Sequence, residues 1–108
     1  MLLKMSRCSK LITMTEKNTS WRDEQTDNLC RAFLKLNDVD EVYNFLEDLA
    51  TIGEIKSMAQ RLEVARLLSM SKKYPEVVSE TGASTATISR VKKCLKYGAG
   101  GYKSVLKA

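Results

Sequence analysis

Residues 75–95 read PEVVSETGASTATISRVKKCL, and this stretch decides the fold. Pro75 suits the first turn of a helix, where its missing N–H leaves no bond unmade. Gly82 ends that helix after two turns, and Ser84 or Thr85 starts the next, which runs to about Tyr97. A tight turn between two short helices needs one residue in the left-handed region, and Gly82 supplies it. Val77 and Val78 precede the turn, small Ala83 lies within it, and Ile88 and Val91 follow three apart on one helical face. These are the inward positions of a helix-turn-helix over about residues 74–97.

The outward positions are Ser84, Thr85, Ala86, Thr87, Ser89, Arg90 and Lys93. All are small, polar or basic, as a helix lying in the DNA major groove requires. Ala86 and the methyl of Thr87 suit a thymine methyl, while hydroxyls and long basic chains reach bases or phosphates. Lys72, Lys73, Lys92 and Lys96 flank this face and read as phosphate contacts, which position without specifying. The plainer alternative is a helical hairpin with a solvated basic face. Charge distribution favours DNA. From Lys72 onward eight basic residues face two acidic ones, a net of +6, whereas residues 15–71 hold seven basic and eleven acidic, a net of −4. One end is built to meet a polyanion.

Further upstream the chain reads as three helices. Residues 22–36 place Asp23, Glu24 and Asp27 early, with Leu29, Cys30, Phe33 and Leu34 as an apolar stripe. Asn37 or Asp38 caps a second helix over 39–50, where Val42, Phe45, Leu46 and Leu49 fall at helical spacing and Tyr43 broadens the face. Thr51 and Glu54 have capping-box spacing. They open a third helix over about 52–70, whose face of Ile55, Met58, Ala59, Leu62, Ala65 and Leu68, with Val64 and Leu67 beside it, marks the central helix. Met58 and Met70 are expected in the core. Downstream, Gly98 suits the left-handed position after a helix. Residues 99–101 are expected to be flexible and 102–108 to form a last short helix. The reading is all-α.

Residues 1–20 are expected to be a flexible extension to a single domain over 21–108, and Met14 offers an alternative start. No secretory signal and no apolar run long enough to span a membrane is present. The chain has 108 residues and no histidine, so the commonest general base and metal ligand are missing. Cys8, Cys30 and Cys94 include no CxxC pair, which argues against a zinc site and suits reduced thiols in the cytoplasm. No nucleophile–base pair is evident, so no enzyme is expected.

TGASTATISRVKKCLK, residues 81–96, resembles the reading head of the Trp repressor. TIGEIKSMAQRLEVARLL, residues 51–68, resembles that family's helix with a capping threonine and a characteristic arginine. The resemblance covers about residues 37–97 and is greater still to the small Trp-repressor-related proteins of Gram-positive bacteria. It implies a six-helix chain that forms a homodimer by interlacing its N-terminal helices, with Trp21 stapling the first helix into the shared core. Two reading heads about one DNA turn apart then match a near-palindromic double-stranded site.

The resemblance also bears on a corepressor. The family's two tryptophan-holding arginines correspond to Arg61 and Arg90, and its capping threonine to Thr51. Where the repressor has a glycine that makes room for the indole, this chain has Val91. Its serine position is Cys94, and two apolar positions become Ala50 and Asp48. Forcing a ring against Val91 would cost about 1–3 kcal/mol or more. No cofactor is therefore expected. Arg61 has a plainer use, an ion pair with Glu54 or Glu63, and Arg90 a phosphate contact.

The sequence thus points to a transcriptional regulator, a repressor that occupies its site without tryptophan. Two alternatives remain at this level. One is a regulator gated by another small molecule at Thr51, Arg61 and Arg90. The other is a protein-interaction adaptor whose helix-turn-helix has drifted.

Overall fold

The computed structural model describes residues 21–107, and within them the chain is six helices with no strand. The expectations for residues 1–20, including Met14 as a start and the thiol of Cys8, lie outside the described residues. In order the helices are α1 (Glu24–Phe33), α2 (Val39–Leu49), α3 (Ile52–Ser69), α4 (Tyr74–Thr81), α5 (Thr85–Tyr97) and α6 (Gly101–Leu106). The chain divides between Asn44 and Phe45 into two units.

The first unit is held by local capping. Asp23 accepts the amide of Thr26 at 2.9 Å, and the Thr26 hydroxyl accepts the amide of Asp23 at 2.8 Å. Each bond satisfies a donor that the helix start would leave orphaned. Asp38, rather than Asn37, caps α2 by accepting the Glu41 amide at 2.9 Å, and Glu41 reaches back to the amide of Asn37 at 2.8 Å. No residue of α1 or α2 is buried within the chain. Trp21, expected as a staple, is 64% exposed, with the Arg22 guanidinium 5.6 Å from its ring centre.

The second unit contains every fully buried side chain among the described residues. Val64, Ala65 and Leu67 of α3 meet Val77 of α4, Ala83 of the turn, and Ile88 and Val91 of α5. Leu68, Tyr74, Leu95, Tyr102 and Leu106 close over them. Each fully buried Val, Leu or Ile contributes about 1.5–3 kcal/mol, so this core is small but dense. α3 packs against α4, α5 and α6, which makes it the central helix, as its wide apolar arc suggests.

The structure corrects several sequence expectations. Met58 and Met70 are exposed rather than in the core, because α3 turns Val64 and Leu67 inward and leaves Met58 and Leu62 open. Val78 is 38% exposed; the helical turn that buries Val77 carries its neighbour about 100° away. Gly98 is extended, with φ −82° and ψ −163°, and not left-handed. Its glycine is needed for space, since a Cβ there would collide with the carbonyl oxygen of Cys94. The last helix begins at Gly101, one residue earlier than expected, with Gly100 before it at φ 87°.

Candidate nucleic-acid interface

The turn between α4 and α5 is built residue by residue. Pro75 sits in the first turn of α4, and Gly82 ends that helix at φ 72°, ψ 8°. Ala83 follows, 3% exposed, against the core. Thr81 ties both sides of the turn: its hydroxyl donates to the carbonyl of Val77 at 2.7 Å and accepts the amide of Ala83 at 3.1 Å. From α3, the side-chain amide of Gln60 donates to the Thr81 carbonyl at 3.1 Å. The angle between the two helices is thereby fixed by named bonds as well as by packing.

Ser84 caps α5 and accepts the amide of Thr87 at 3.1 Å. Its hydroxyl also donates to the Thr87 hydroxyl at 3.1 Å. Periodicity alone puts both hydroxyls outward and free. In the structure they engage each other. Ile88 and Val91 are 0% and 1% exposed and anchor the helix inward. Thr85, Ala86, Ser89, Arg90 and Lys93 are exposed, and none has a side-chain hydrogen bond or ion pair among the described residues. This face presents short side chains and two uncommitted cations, with no carboxylate among them.

Lys72 and Lys73 lie in the connection from α3 to α4. The α3 end is a Schellman motif: the amide of Lys72 bonds the Leu67 carbonyl at 3.1 Å, and that of Ser71 the Leu68 carbonyl at 3.0 Å. Ser71 takes the left-handed position, φ 63°, where glycine is usual. The Lys73 amide is accepted by the Glu76 carboxylate at 3.1 Å. Both lysines thus hang from an ordered backbone.

Thr51, Arg61 and Arg90 stand as follows. Thr51 caps α3, its hydroxyl accepting the Glu54 amide at 3.1 Å while Glu54 accepts the Thr51 amide at 2.8 Å. Arg61 is half-buried and pairs with neither Glu54 nor Glu63, contrary to the plainer expectation. Glu54 is committed to the cap, and Glu63 to Arg66 at 2.6 Å. The hydrogen bond from Arg66 holds the Glu63 carboxyl below the ordinary carboxylate range. Among the described residues Arg61 therefore keeps an unpaired cation on α3.

Sequence reasoning missed Gln60 and Lys103. Gln60 lies four residues before Val64 and seven before Leu67, on the inward stripe of α3. A polar residue on an apolar stripe must find a partner, and that is the signal the sequence offers. Lys103 on α6 reaches the same depression as Lys72, Lys73, Lys92 and Lys96, a proximity that only the packing of α6 reveals.

The arrangement is two short helices set by a left-handed glycine, with an outward face free of carboxylates. The Trp repressor protein family matches residues 24–108. The uncharacterized protein YerC of Bacillus subtilis (strain 168) is 53% identical over 85 residues, covering 79% of this chain and 82% of YerC. A TrpR-like protein of Eubacterium eligens superposes with a TM-score of 0.78 at 46% identity, over 82% of this chain and 91% of that one. A Staphylococcus aureus protein proposed to be a Trp repressor superposes at 0.80 with 40% identity, over 85% and 92%. The chain belongs to the Trp repressor family, whose members are DNA-binding transcription regulators and not enzymes. No helix of the described residues is long and apolar enough to cross a membrane.

Proposed function

We propose that this protein is a homodimeric, sequence-specific regulator that binds a near-palindromic site through α4 and α5 and represses by occupying it, without tryptophan. The observation that carries the reading is the α5 face: Thr85, Ala86, Ser89, Arg90 and Lys93 are exposed and uncommitted, while Ile88 and Val91 of the same helix are buried. α5 lies in the major groove, Ala86 and Thr87 meet base edges, and Arg90 and Lys93 reach bases or phosphates. Lys72 and Lys73 position the head on the DNA backbone, as does Ser84 at the start of α5 through its main-chain amide, its hydroxyl being committed to Thr87. The exposed apolar stripes of α1 and α2 support a shared dimer core, and two-fold symmetry then demands a two-fold site. Residues 21–108 act as one such domain.

Tryptophan does not fit. Thr51, Arg61 and Arg90 are present, but Val91 is 1% exposed and packed into the core. A buried β-branched side chain fills the volume an indole would need, and it already braces α5 against α3. The head is set without a ligand.

The test is selection of bound fragments from sheared source DNA at two salt concentrations, with and without tryptophan. A palindromic motif that is enriched equally in both arms is expected, with retention falling at the higher salt. A motif that appears only with tryptophan would refute the ligand-free reading. No enrichment at either salt would refute sequence-specific binding.

A further inference from the structure

Beside the reading face lies an open depression of about 710 Å³, between the end of α3, the start of α4, α5 and α6. Its floor includes Leu68 and Leu95, and five lysines stand around it: Lys72, Lys73, Lys92, Lys96 and Lys103. No carboxylate lines it. None of the five has an ion pair among the described residues. Glu76, the nearest acidic residue in sequence, has its carboxylate on the Lys73 amide. Lys92 is steadied by the Tyr74 ring, 5.5 Å from its ammonium to the ring centre, an interaction that holds a cation without neutralising it.

The depression is one-sided. Lys92 and Lys96 are four apart and stack on one flank of α5. The opposite flank carries Thr87 and Cys94, which are neutral side chains seven apart on one line. Five positive charges facing water without counter-charges repel one another, so the surface suits a polyanion. They are lysines, point charges with no planar fork, and the surface around them is open rather than enclosing. That chemistry grips a run of phosphates without reading its sequence.

We propose that this depression seats the phosphodiester backbone of DNA alongside the reading face, so that α6 and one flank of α5 grip one strand beyond the bases that α5 reads. The proposal rests on the DNA-binding reading above and extends it. Lys103, on a helix outside the reading head, becomes a positioning residue, and each head is anchored asymmetrically.

The test compares Lys92→Gln/Lys96→Gln/Lys103→Gln with Arg90→Ala/Lys93→Ala and with the unaltered chain. Fluorescence anisotropy against salt is measured on a duplex carrying the selected motif and on a random duplex of equal length. The flank variant is expected to lose affinity for both duplexes by the same factor, about tenfold or more. Its log–log salt slope should shrink by up to about 3 per bound protomer, or about 0.9 for each phosphate no longer neutralised. Lys103→Gln alone should shrink it by about 0.9. The Arg90/Lys93 variant should instead narrow the ratio between the two duplexes. If the unaltered chain binds both and the flank variants keep its slope, the inference fails while the reading head stands. If the unaltered chain binds neither, both fail. Micromolar binding of inorganic tripolyphosphate to the DNA-free protein, abolished in the flank variant without any change in DNA slope, would assign the depression to a free anion and overturn the proposal.

Discussion

The two ends of the described chain bury very different amounts. From Val64 onward seven residues are essentially inaccessible, and a turn fixed by Gln60, Thr81 and Gly82 holds α4 and α5 in place. Among the described residues before Val64 nothing is buried, although α1 and α2 are as clearly amphipathic and as well capped as any helix here. Leu29, Leu34, Tyr43 and Leu49 face water at 38% to 84% exposure. Good capping and good patterning therefore do not make a core. A helix contributes hydrophobic stabilisation only when something covers its stripe. The later helices find that cover in one another. The earlier ones carry a surface of the kind a second copy would cover, and this is the physical ground for the dimeric reading.

The contrast can be broken most severely inside the later core. Ile88→Ala removes a fully buried side chain and should cost about 2–5 kcal/mol, lowering the melting temperature by roughly 10 °C or more in a calorimeter. A smaller effect would mean that the cluster around Ile88 relaxes to fill the space, and is not the rigid base described. Leu29→Glu/Leu49→Glu changes only open stripes. It should convert a dimer to a monomer in sedimentation and abolish the dependence of melting on protein concentration. An unchanged mass would remove the dimer from those faces. The smallest effect sharpens the contrast in the opposite sense. Ser71→Gly relieves a left-handed serine at the end of α3 and should raise stability by about 1 kcal/mol, a shift of several degrees in melting temperature.

Much of this is legible in the sequence because it is local. Capping boxes, proline in a first turn, a left-handed glycine and the i, i+3 pair of Ile88 and Val91 act within a few residues, so the helices and the turn fall close to where the pattern puts them. What fails is not local. Met58 and Met70 have the spacing of core residues, but spacing says which side is apolar and not whether anything lies against it. Val78 is apolar beside a buried valine, yet one helical step carries it out. Gly98 suggests a special backbone angle but is required for room, because the carbonyl of Cys94 occupies the place of its Cβ. The candidate site divides in the same way. The outward residues of α5 follow from helical periodicity, whereas the hydroxyl bond from Ser84 to Thr87, the reach of Gln60 and the arrival of Lys103 depend on three-dimensional placement.

α3 runs unbroken through Ile52–Ser69, a rod about 27 Å long at 1.5 Å per residue. Its first half carries the open residue Met58, and its second half carries Val64 and Leu67 of the core. No hinge separates the two. If the first half joins a partner, the distance between paired reading heads is set by a rod rather than by a tether. Such a protein would measure the gap between half-sites as a caliper does, so that moving the half-sites apart would weaken the site while leaving every contacted base intact.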